Sequence, residues 1–210
     1  DVIDTQINLA IVYRRIGKLE QAENRCTRTL SLLNDQNRSQ DDPMLLRCMT
    51  ELSRIYLASD KILQAESLAR NTYEKSRLRF GAKNPKSLRR GQVLVECLGK
   101  LGRLDDAQTL SISIVSSLQL ALGQSHPDTL GAMDSLANIA AARSDFNLAL
   151  EQYLEILERK EQALGSMHPE TLNTLNATAV IYRKLEMLED AKKTQYTVYQ
   201  RLQEKYGHEH

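Results

Sequence analysis

The chain has 210 residues, 41% of them hydrophobic and 26% charged, with nine glycines and four prolines; this is the composition of an ordered, helix-leaning protein and excludes the disordered and collagen-like classes. Its 28 Lys and Arg nearly cancel its 27 Asp and Glu, so no electrostatic footprint for nucleic acid is expected. No apolar run approaches the 18 or so residues of a membrane span, which predicts no contact with a membrane.

In chain order, the sequence opens inside an apolar-periodic segment at Asp1-Val-Ile-Asp4. This start lacks the basic and apolar regions of a signal peptide, and its abruptness within a helical pattern predicts a fragment of a longer protein. The polar run from Asn34 to Asp42 predicts a loop, and Pro43 then opens a new helical pattern. From there the sequence keeps a period. Pro43, Pro85, Pro127 and Pro169 are 42 residues apart, and Gly81, Gly123, Gly165 and Gly207 follow the same interval. Ala22, Ala65, Ala107, Ala149 and Ala191 are spaced 43, 42, 42 and 42. Three series in one register define five repeats, about 1–42, 43–84, 85–126, 127–168 and 169–210, in a single repeat domain spanning 1–210. The one-residue slip falls in the 34–42 loop.

Each repeat reads as two helices. In the fourth, Leu130, Met133, Leu136, Ala137 and Ala140 form one helical stripe, and Ser144-Asp145 breaks it. Phe146, Ala149, Leu150, Tyr153, Leu154, Leu157 and Leu164 form the second. The fifth repeats this with Leu172, Leu175, Ala179 and Tyr182, then Leu188, Ala191, Tyr199 and Leu202. Helices of roughly 17 and 19 residues span about 26 and 28 Å. At the junctions, Gly suits the helix C′ position and Pro the first helical position. Asp128 and Glu170 place a carboxylate where the helix dipole favours it. One such hairpin cannot bury both its faces, so neighbours must stack with the alanine series at the helix crossings. An all-α chain of ten antiparallel helices follows, without β-sheet. A HEAT or armadillo array fits the period alone.

The nine-residue step from Tyr13 to Ala22, Tyr56 to Ala65 and Tyr182 to Ala191, with Leu9-Ala10 and Leu136-Ala137 upstream, resembles the tetratricopeptide repeat (TPR). The junction Leu-Gly-x-x-His-Pro-[Asp/Glu]-Thr-Leu at 122–130 and 164–172 is similar to the kinesin light chain type. Similar arrays form C-terminal regions of fungal and bacterial nucleotide-binding sensor proteins. The resemblance is weakest in the third repeat, where Leu98 stands for the tyrosine and Val95 for the alanine. It implies a right-handed α-solenoid whose concave face, lined by the first helix of each repeat, receives an extended or helical partner segment.

Signatures of catalysis are missing. There is no phosphate loop, no dinucleotide fingerprint, no His-Glu-x-x-His and no nucleophile at a meaningful spacing from a base, so no enzyme, cofactor or metal is expected. His126 and His168 precede their prolines and read as helix-start residues; His208 and His210 close the chain. Cys26, Cys48 and Cys97 form no C-x-x-C pair and sit in apolar patterns, as reduced thiols of a cytoplasmic protein would.

By register from the tyrosines, Arg47, Arg54, Arg89, Gln92, Glu96, Asn138, Asn173, Asn176 and Arg183 face the partner groove. Side-chain amides can clamp a peptide backbone, and guanidiniums pair with carboxylates. The first helices carry eleven Lys or Arg against seven Asp or Glu, which predicts an acidic partner segment. The expected function is a protein–protein interaction scaffold. Its rivals are a ligand-sensing array of a nucleotide-binding switch protein and self-assembly through the solenoid ends. Tyr196, Val198, Tyr199, Leu202 and Tyr206 make the last helix unusually apolar, which predicts self-association there. Gly207-His-Glu-His210 matches the Gly-x-x-His before Pro127 and Pro169, which predicts a parent chain continuing in the same repeat.

Overall fold

The computed structural model describes residues 2–36 and 39–207, and these form ten α-helices and no strand. The first helices of the repeats are α1 (Val2–Arg15), α3 (Pro43–Ala58), α5 (Pro85–Lys100), α7 (Pro127–Ala142) and α9 (Pro169–Lys184). The second helices are α2 (Leu19–Asp35), α4 (Ile62–Phe80), α6 (Leu104–Leu122), α8 (Phe146–Leu164) and α10 (Leu188–Tyr206). The helix-opening prolines fall where the period puts them. The parallel drawn from His208 to His210 lies outside the described residues.

The junction motif is a capping device. Gly123 and Gly165 end their helices at φ +91, with ψ 157 at Gly165, a region essentially closed to side-chain-bearing residues. His126 and His168 are N-caps: each Nδ1 accepts the backbone N–H two residues on, Asp128 at 3.1 Å and Glu170 at 3.2 Å. Asp42 and Asn84 fill the same place in α3 and α5. The buried Thr129 and Thr171 hydroxyls donate back to the Gly123 and Gly165 carbonyls at 2.8 and 2.9 Å. Every residue of His-Pro-[Asp/Glu]-Thr thus has a structural task.

The turn inside each repeat uses a series the sequence reading missed. Gly17, Asp60, Gly102, Ser144 and Glu186 all hold φ between +59 and +77. Three of them bear side chains, so a glycine-only pattern search passes over the series.

The chain divides into two compact units, Asp1–Leu110 and Ser111–His210. In the first, α1 to α5 pack in succession, and α3 also touches the first helices on either side of it, α1 and α5. Its core gathers Ile3, Ile7 and Ala10 with Ala22, Cys26 and Leu33 and with Leu45, Cys48, Met49, Leu52 and Ile55. In the second, α7 packs on α8, α8 on α9 and α9 on α10, around Ala137, Ala140, Ala149, Tyr153, Ile156 and Ile181. Ala22, Ala65, Ala107 and Ala149 are fully buried, as the register requires. Ala191 departs from the expectation: it is only half-buried, because α9 alone covers α10 within its unit. The predicted apolar face of α10 is real at Tyr196, Tyr199, Leu202 and Tyr206, all exposed, whereas Val198 turns inward and is buried.

Candidate partner-binding faces

In the first unit the predicted groove residues lie on α3 and α5, but neighbouring first helices already engage several of them. Arg47 donates through Nη1 to Asp4 and through Nη2 to Asn8 Oδ1 at 2.6 Å, both on α1. Arg14 of α1 donates to the buried Glu51 of α3 at 2.5 Å. Arg54 of α3 and Glu96 of α5 attract each other electrostatically. Crowding pushes the Glu96 carboxyl up, and Arg54 and Arg14 pull it back, even though part of this side chain still meets solvent. Arg89 is exposed and Gln92 half-buried, each with an electrostatic or polar neighbour of its own. Part of the cation excess counted on the first helices is therefore met, at Arg14 and Arg47, by carboxylates one repeat away. Sequence register put Arg47 and Arg54 on one face of α3 and did not single out Arg14. Their pairing across helices needed the fold.

In the second unit Asn138, Asn173 and Arg183 are exposed on α7 and α9, and Asn176 is half-buried. The Asn138 carbonyl accepts the Tyr153 hydroxyl at 2.7 Å, and the Asn176 carbonyl accepts from Gln195 at 3.3 Å. Both amides keep their –NH2 donors for another partner. Burial pushes the Tyr153 phenol well up, so it stays a neutral donor.

The same unit holds a charged group that sequence reading missed. Lys160 of α8 is buried, and its ammonium donates to Asp134 of α7, to Thr174 Oγ1 of α9 at 3.0 Å and to the Glu170 carbonyl at 3.4 Å. The Thr174 hydroxyl donates in turn to Asp134 at 2.9 Å. The signal was available: Lys160 occupies the register of Leu33, Ser76 and Leu118, all buried in their repeats.

Two recesses recur one repeat apart. One of about 490 Å³ is lined by Tyr13, Gln21, Asn24, Arg25, Thr27 and Arg28. The next, of about 480 Å³, replaces Arg25 with Leu68 and adds Leu52 and Leu63 beside Tyr56. Among the described residues no three His, Cys, Asp or Glu side chains gather as a metal site, and no helix is long and apolar enough to cross a membrane.

Comparison with known proteins agrees with this architecture. Residues 132–204 match the family model of the tetratricopeptide repeat. No curated protein matches the chain. Among solved structures, a kinesin-light-chain-type protein of Podosopora anserina with nearly identical TPR-like repeats is 20% identical, at TM-score 0.73 over 97% of this chain and 96% of that one. BtubC from P. vanneervenii is 14% identical, at TM-score 0.73 over 96% and 80%. Bacillus thuringiensis PlcR, solved with the peptide PapR7 and DNA, is 12% identical, at TM-score 0.71 over 96% and 70%. At these identities the likeness is one of fold.

Proposed function

We propose that these tetratricopeptide-type repeats form a binding scaffold, in which the first helices hold an extended or helical segment of a partner protein. One observation carries the reading. The solvent-facing positions of α5, α7 and α9 carry guanidinium and amide side chains, Arg89, Asn138, Asn173 and Arg183, on helices fixed by their packed neighbours. Such groups recognise a peptide backbone or a carboxylate without reaction chemistry. That PlcR was solved with a peptide bound supports the reading by analogy of fold.

With Arg14 and Arg47 tied to Glu51 and Asp4, the preference for an acidic segment rests on Arg54 and Arg89. The test is capture of partners with the parent chain and with an Arg54→Glu/Arg89→Glu variant of equal thermal stability. Partners held by the parent and lost by the variant support the acidic preference; partners held equally by both remove it.

A second reading is self-association through α10. Tyr196, Tyr199, Leu202 and Tyr206 expose between 39% and 60% of their surfaces, an apolar face of the kind that finds a partner.

A further inference from the structure

The longest run of the first unit with cations and no carboxylate lies at the junction of α4 and α5. Between Glu74 and Glu96 seven Lys and Arg occur with no Asp or Glu. Three of these cations surround one ring: the Arg79, Lys86 and Arg90 head groups stand 5.8, 5.3 and 5.7 Å from the centre of Phe80. Lys83 is exposed beside them, in the loop before the Asn84 cap.

The repeat itself does not call for this charge. In the register of Arg79, Lys83, Lys86 and Arg90 the next junction has Ala121, Ser125, Asp128 and Ala132. The one after has Ala163, Met167, Glu170 and Thr174. Lys86 stands in the first turn of α5, where the helix dipole disfavours a cation and the later repeats place a carboxylate. Arg90 is drawn half inside; its Nη1 reaches the Lys86 carbonyl at 2.7 Å, while its Nε is sealed from solvent with no acceptor. Cations gathered against the local rules of helix stability mark a functional surface.

We propose that this junction docks a phosphorylated segment of a partner protein, independently of the first-helix faces. A carboxylate carries one negative charge, and the one already present, Asp41, takes up only Arg79, at 3.1 Å. A phosphomonoester brings close to two charges and three acceptor oxygens, enough to be shared by Lys83, Lys86 and Arg90. The site is open, with Lys83 and Lys86 both exposed. It therefore holds the anion best when a larger chain supplies further contacts. A nucleic acid fits less well, because cations already cover the Phe80 ring on which a base would stack.

The test titrates the whole chain, by fluorescence anisotropy, with a labelled peptide pool in which a phosphoserine is flanked by random residues. Parallel titrations use pools with serine or glutamate at the centre. The phosphoserine pool is expected to bind about tenfold more tightly than the glutamate pool and to weaken with added salt. Lys86→Asp, which installs the residue of the fourth repeat, abolishes binding while leaving the thermal midpoint equal to or above the parent's. Lys83→Ser, which copies Ser125 of the next junction, weakens binding in the same direction. Lys18→Ala, at an exposed cation in the turn between α1 and α2, leaves it unchanged. Equal binding of the glutamate pool overturns the proposal. So does failure of the phosphoserine pool to bind, or binding that survives both lysine substitutions. Tighter, Lys86-dependent binding to phosphatidylserine vesicles or to a single-stranded oligonucleotide reassigns the site to another partner class and overturns the proposal as well.

Discussion

Lys160, buried on α8, and Asp134, half-buried on α7, form an ion pair in a second unit whose buried side chains include Leu130, Ala149, Tyr153, Ile156 and Leu172. Removing one partner leaves the other desolvated, so Asp134→Ala is expected to cost about 3–5 kcal/mol. The joint change Asp134→Asn/Lys160→Leu takes its residues from Asn176 and Leu118, which share the register. It is expected to cost less than about 1 kcal/mol, or to stabilise. Urea unfolding of Asp134→Asn, Lys160→Leu and the double closes the cycle, and a double variant as damaged as Asp134→Ala contradicts the account.

The intra-repeat turns give a second test. Ser144 and Glu186 hold φ +64 and +61, conformations that cost an ordinary side chain about 1 kcal/mol and glycine almost nothing. Ser144→Gly and Glu186→Gly should therefore each raise stability by roughly 1 kcal/mol, less the extra entropy glycine loses on folding. Conversely, Ala149→Phe fills a position with no exposed surface and is expected to cost about 1–3 kcal/mol. Thermal melts of the three variants check both signs.

What the sequence made legible was what the backbone constrains. Proline at a helix start and glycine at a helix end are nearly obligatory choices, so the 42-residue period located every junction. The break at Ser144 was legible, but the positive φ shared by Asp60, Ser144 and Glu186 was hidden because these residues do not advertise it as glycine does. Lys160 was passed over because a lysine in a helical pattern reads as surface until the register of Leu118 is consulted. On the first-helix faces, spacing put Arg47 and Arg54 two turns apart on α3. Only the packing of α1 on α3 showed that Asp4 already takes up the charge of Arg47.

Burial pushes the Cys97 thiol up to about 12 from an ordinary value of 9.0. A raised value in the folded state contributes stability that is whole below pH 9 and drains away as pH rises towards 12. The loss can reach about 1.4 kcal/mol per pH unit across that window. Cys97→Ala should flatten this part of the alkaline stability profile relative to the parent. At neutral pH, Cys26, Cys48 and Cys97, all fully buried, should react with a thiol reagent only on unfolding. Prompt labelling of the native chain would show that the thiols are accessible.

Self-association is tested by light scattering across a concentration series. Tyr199 and Leu202, 53% and 39% exposed, are expected to mediate a reversible rise in mass above that of one chain. Tyr199→Ser/Leu202→Gln should abolish the rise without lowering the melting temperature. A single-chain mass at every concentration removes this reading.

The central claim is that partners are held by the first helices. It is tested most directly by site-specific photo-crosslinking in a lysate of the source cells. A photoreactive phenylalanine is placed at Gln92 or Asn173, on α5 and α9, and as controls at Leu63 or Leu120, which are 74% and 85% exposed on α4 and α6. The account predicts the same crosslinked partner from Gln92 and Asn173, and none from the controls. Crosslinks that arise from Leu63 or Leu120 while Gln92 and Asn173 stay silent would place recognition on the second helices and contradict it.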